Sequence, residues 1–184
     1  MVDKVTLAKS STSEKKNTQG KECTVGEFIT EAEGWKIIEV ASTWEGTDYK
    51  QVGAESQKGG KGDCSGTTYK IYNEAGFPYP YQATGAFEAY AAKSHKFRQI
   101  DPEKQAMQVG DVLLWPGHMA IYAPFPEGHP KRYTNVMKAG KQVANDMYTA
   151  FNERRADPRY APFNITVFRK DPYKVFRYFK LNCK

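Results

Sequence analysis

The sequence has little cysteine and little histidine, three of each in 184 residues. So few thiols exclude a small domain held by a dense disulfide framework, and the six groups show no zinc-ligand spacing, so neither a metal nor another cofactor is expected. No run approaches the roughly 18 apolar residues of a membrane span. There is no internal repeat and no low-complexity tract. The opening MVDKVTLAKSSTSEKKNTQGKE lacks the apolar central stretch of a secretory signal peptide. A function outside the cytoplasm therefore implies another export route, or a signal already removed.

What is present is aromatic and basic. Twelve Tyr, ten Phe and three Trp argue for a packed core rather than a disordered chain, and the net charge of +6 suits a polyanionic surrounding such as nucleic acid, an anionic membrane surface or a bacterial wall. The basic residues are scattered, with no zinc-finger or RNA-binding signature beside them, so nucleic acid is not the expected partner.

The length suits one domain. Residues 1–22 are rich in Lys, Ser and Thr without an apolar period and read as a polar N-terminal arm; residues 23–184 read as a single catalytic domain. From Thr24, apolar residues at Phe28, Ala32, Trp35, Ile38 and Ala41 predict a helix, with Thr24 and Glu27 as its capping box and Gly34 as a break. SGTTYKIYNEAG predicts a second helix ending at Gly76, and TGAFEAYAAKS a third from Thr84. Strands are expected at Val112 to Trp115 and Met119 to Ala123, across Pro116-Gly117, and in RYTNVMKAG; NITVFR and KVFRYFKLN read as a closing hairpin. Helices first and an antiparallel sheet afterwards predict an α+β fold.

Cys64, in GGKGDCSG, sits where a glycine-rich loop enters a helix. A helix N-terminus favours the thiolate, which is the nucleophilic form, and its backbone N–H groups can stabilise an oxyanion. Such chemistry needs a base, and three histidines make the search short. His118 opens a strand after a turn and is the best placed; His95 in KSHKF reads as a surface residue at a helix end, and His129 in PEGHPKR as a loop residue. A buried structural cysteine is the competing reading of Cys64.

DCSG at a helix start, then GFPYP, then GDVL and HMAIY in that order, resembles the NlpC-type family of papain-like bacterial cell-wall cysteine peptidases, over roughly Trp35 to Ala123. The resemblance implies a papain-like NlpC-type fold, with N-terminal helices packed on an antiparallel β-sheet. It makes Cys64 the nucleophile and His118 the general base, with Tyr49 lining the site and Asp63 and Ser65 binding substrate or capping the helix. The family's third polar residue follows on the next strand, where this sequence departs from the usual pattern. Asn135 is the candidate, with His129 the alternative.

Without wall-binding repeats the chain is most similar to the amidase effectors of type VI secretion. That likeness implies a hydrolase cutting peptidoglycan stem peptides, with the γ-D-glutamyl-diaminopimelate bond the first expectation. It also implies secretion without a Sec signal peptide, action in the periplasm of a target bacterium, and contacts with a secretion machinery component and an immunity protein. A Cys23–Cys183 disulfide suits that oxidising destination, while counting alone leaves three free thiols equally open. Two rival functions stand beside this one. The first is a deamidase or acyltransferase acting on a host protein or lipid through the same Cys–His pair; the second is a basic binding module without activity.

Overall fold

The computed structural model of the chain describes residues 23–151 and 159–183, with the backbone alone at 23–25, 182 and 183. The N-terminal arm expected at 1–22 lies outside these residues. The first element among the described residues is a strand, β1 (Cys23–Phe28), where a helix is expected from the sequence. Two Thr-x-x-Glu matches lie in this stretch, and the second is the one that caps. Thr30 accepts from the Glu33 N–H, the Glu33 carboxylate accepts from the Thr30 N–H, and α1 runs Glu31–Thr43. Gly34 does not break α1. It lies inside the helix against Val109, whose carbonyl oxygen would stand 2.0 Å from an added Cβ.

After α1 the chain forms β2 (Asp48–Tyr49) and β3 (Lys61–Gly62), a short parallel pair bracketing a loop. Then α2 (Cys64–Glu74) buries Ile71 and Tyr72 and stops at Ala75, with Gly76 at φ +95 where a residue without Cβ is at ease. The third helix, α3 (Thr84–Ser94), buries Phe87 and Ala91 and ends on His95, which is left-handed at φ 61. β4 (Phe97–Ile100), β5 (Val112–Trp115) and β6 (His118–Tyr122) follow. RYTNVMKAG yields only β7 (Met137–Lys138), half of a small hairpin with β8 (Lys141–Gln142). β9 (Met147–Ala150) and β10 (Tyr160–Phe163) come next.

The expected strand NITVFR is instead a single helical turn, α4 (Ile165–Phe168). Asn164 caps it by accepting from the Val167 N–H, and Asp146 holds the Ile165 N–H. β11 (Lys174–Cys183) therefore has no hairpin partner. It pairs with β4 on one side and with β5 and β1 on the other, all antiparallel. The main sheet runs β1-β11-β5-β6-β9-β10, with β4 beside β11. The described chain is thus α+β, with helices packed against an antiparallel sheet.

Alternation along the strands divides the core in two. Val112, Leu114, Met119, Ile121, Tyr148, Phe176 and Tyr178 join the cluster shared with the helices. Leu113, Trp115, Ala120, Met147 and Val175 form a second cluster with Ile165, against which Phe168 packs. The middle of the sheet is pinned by Asp111 and Arg177, which form a buried bidentate pair at 2.8 and 2.9 Å. The Tyr72 hydroxyl donates to the Gly110 carbonyl and ties α2 to the same point.

Candidate active site

The loop before α2 is built around Asp63. Its carboxylate accepts from the Gly66 N–H at 2.8 Å, as an N-cap does, and from the Gly53 N–H at 2.8 Å, so one side chain starts the helix and anchors the turn facing it. Gly66 is obligatory there, because a Cβ would lie 2.0 Å from the Gly53 carbonyl oxygen and 2.2 Å from Ser56 Oγ. Ser65 Oγ pairs with the Tyr81 hydroxyl at 3.0 Å and lies 3.5 Å from Asp63. Of the two roles open to Asp63 and Ser65, the contacts are those of capping and loop anchoring. Tyr49 is aligned with Gly62 by the β2–β3 pairing, next to the loop that leads into Cys64, and packs half-buried on the core.

Cys64 is the first residue of α2 and is 7 % exposed. Its Sγ lies 3.5 Å from Thr84 Oγ1, at the start of α3, and meets the backbone N–H of Met119 on β6. Burial pushes the thiol above its ordinary range. The Thr84 hydroxyl and the N–H groups of Met119 and Ser65 pull the other way, and the Asp63 charge adds to the rise. Desolvation thus outweighs the lowering expected from the helix N-terminus.

His118 is the residue just before Met119, so α2 delivers the thiol to the strand end that carries the imidazole. The ring packs on Phe168 at 4.6 Å and Trp115 at 5.9 Å, both associated with the second core cluster, while Cys64 belongs to the first. Among the described residues no hydrogen bond joins Sγ to the ring. Nε2 instead lies 2.5 Å from Thr149 Oγ1 on β9.

That contact is the one expected of Asn135 or His129. Asn135 lies in the bend before β7, exposed and at φ 64, and its side chain makes no hydrogen bond among the described residues. His129 is stacked near Trp35 and Phe125, and its Nδ1 accepts from the Lys131 N–H. Neither reaches the His118 Nε2. The intervening hairpin β7–β8 displaces the next sheet strand to β9, past both Asn135 and His129. Thr149 had one sequence signal, a small polar residue between apolar ones in MYTA.

Beside Thr84 opens a cleft of about 370 Å³, lined by Gly85, Glu88, Trp115, Pro116, Gly117 and Lys174 among others. Glu88 and Lys174 form an ion pair of 2.5 Å at its rim. The cleft therefore touches both the residue bonded to the thiol and the turn that precedes His118.

Backbone register places Cys23 opposite Cys183 on β1 and β11; their side chains lie outside the described residues. Among the described residues no group of three or more His, Cys, Asp or Glu is arranged to hold a metal ion, and no helix is long and apolar enough to cross a membrane. No protein-family model matches the chain, and no curated protein matches it.

Proposed function

We propose that the protein is a cysteine amidase of the papain-like NlpC type that cuts amide bonds in peptidoglycan stem peptides, as the type VI effectors it resembles do. The observation that carries this reading is the placement of the Cys64 thiol. It stands at an Asp63-capped helix N-terminus, against the Met119 amide at the end of β6 that begins with His118. The order of DCSG, GDVL and HMAIY along the chain supports it.

In this mechanism the amide enters the cleft beside Thr84. Substrate draws Sγ from Thr84, and the imidazole takes the thiol proton as Sγ bonds to the carbonyl carbon. Catalytic hydrogen bonds commonly tighten only in the substrate complex, so a resting thiol held by Thr84 is compatible with this step. The Cys64 N–H, which has no acceptor among the described residues, is the available donor to the oxyanion. The tetrahedral adduct collapses to a thioester as the amine departs with the imidazole's proton. Water, deprotonated by the same ring, then releases the acid and restores the thiol.

The basic composition favours encounter with a carboxylate-rich wall, an effect that fades with salt. A periplasmic target, an immunity protein that plugs the cleft, and a secretion machinery component complete the proposal.

The test is mass spectrometry of purified peptidoglycan after digestion by wild type, Cys64→Ala and His118→Ala. Stem fragments seen with wild type alone are expected, and their masses name the bond. An unchanged wall overturns the wall reading and moves the search to deamidation or acyl transfer on protein or lipid.

A further inference from the structure

We infer that Thr149 is the third polar member of the site, a positioning residue that fixes the His118 ring by accepting a hydrogen bond from Nε2–H. The inference rests on the Cys64–His118 reading above and names a residue that reading leaves open.

β9 lies wholly inside the protein, and Thr149 is 0 % exposed. A buried hydroxyl left unpaired is destabilising, so this one is either satisfied or a liability. Among the described residues it has two hydrogen-bonding neighbours, His118 Nε2 at 2.5 Å and the Met119 carbonyl oxygen at 3.4 Å. The carbonyl can only accept, so the hydroxyl proton turns toward it. The Oγ1 lone pairs are then left for Nε2–H. That assignment puts the basic lone pair of the neutral ring on Nδ1, the nitrogen that must take the proton from Cys64.

The geometry closes a circuit through one residue. Met119 offers its N–H to Cys64 Sγ and its C=O to Thr149, and Thr149 holds His118, the residue before Met119. Register fixes the circuit rigidly, because Ala120 pairs with Thr149 across β6 and β9. Packing against Phe168 and Trp115 limits how far the ring can turn, so the hydroxyl acts on the tautomer rather than on the ring's gross position. A hydroxyl also orients the imidazole without placing a second charge beside it, unlike a carboxylate.

The experiment reads tautomer and thiol reactivity together, with no need to know the substrate. Protein labelled with ¹⁵N at histidine is examined by NMR for the His118 tautomer, assigned through His118→Ala. The rate of Cys64 alkylation by iodoacetamide is followed by mass spectrometry in wild type, Thr149→Val, Thr149→Ser and His118→Ala. Wild type and Thr149→Ser are expected to hold neutral His118 as the Nε2–H form. Thr149→Val, nearly isosteric and well suited to a strand, is expected to lose that preference and to slow alkylation about tenfold, in line with the loss of one buried hydrogen bond. Thr149→Ser restores the rate. If the valine variant does not fold, Thr149→Ala takes its place.

A wild-type Nδ1–H tautomer, or a Thr149→Val protein matching wild type in both readouts, overturns the inference. Slower alkylation in His118→Ala with no effect of Thr149→Val removes Thr149 alone. An unchanged rate in His118→Ala removes the Cys–His pair, and the inference with it.

Discussion

Thr84 Oγ1 stands 3.5 Å from Cys64 Sγ, joining the first residue of α3 to the first residue of α2. The contact holds a buried thiol whose proton is retained above the ordinary thiol range because burial disfavours the thiolate. Alkylation of Cys64 is therefore expected to be slow at neutral pH and to climb only above the pH at which an exposed cysteine reacts. Thr84→Val, which removes a hydrogen bond to the thiolate, should push that midpoint further up. A rate profile for iodoacetamide measured by mass spectrometry checks both; a wild-type midpoint at or below that of free cysteine would contradict the first.

The Arg177–Asp111 pair is buried on both sides, and Arg177 also donates to the Ala106 carbonyl. Removing one partner strands the other charge out of water. Arg177→Ala should cost about 3–5 kcal/mol in urea unfolding. Replacing both residues by apolar ones of similar volume should recover much of the loss, and a double variant no better than the single would show that the pair's geometry, not its charge, holds the sheet.

Gly66→Ala drives a Cβ into the Gly53 carbonyl and Ser56 Oγ, both part of the turn that Asp63 anchors. Overpacking of this kind typically costs about 1–3 kcal/mol. The expected outcome is a lower melting temperature together with faster alkylation of Cys64, since the loop that buries it must shift. Unaltered melting would mean that the turn yields freely.

Register places Cys23 opposite Cys183, the separation at which antiparallel strands bring Cα atoms within disulfide reach. Protein matured in an oxidising compartment should show one free thiol when denatured without reductant. Three would exclude the bridge. Where the bridge forms, reduction is expected to loosen β1 at the sheet edge, read as faster amide exchange at Phe28 and Phe179.

Much of the fold was legible because local signals agreed with each other. α3 matches its expected span from Thr84, where apolar residues four apart, Phe87 and Ala91, fall on one buried face. β5 matches as well, between Asp111 and a Pro-Gly turn. Two segments were misread for the same reason, that a local pattern had two uses. Thr24 and Glu27 fit a capping box as well as Thr30 and Glu33 do, and pairing with β11 turned the first match into a strand. NITVFR has strand composition, but Asn164 and Asp146 cap it into a turn of helix because β9 and β10 already occupy that edge.

The sequence by itself marked Cys64 as the candidate nucleophile and His118 as the candidate base. A thiol at a glycine-rich loop-to-helix junction and a histidine after a turn are local arrangements, written in a few neighbouring residues. Tertiary structure alone decided the rest: that desolvation outweighs the helix end at Cys64, that Thr84 holds the thiol, and that Thr149 rather than Asn135 or His129 meets His118. Burial and cross-strand register are sums over contacts distant in the chain, and a residue such as Thr149, 31 positions from His118, acquires its role only when the strands align.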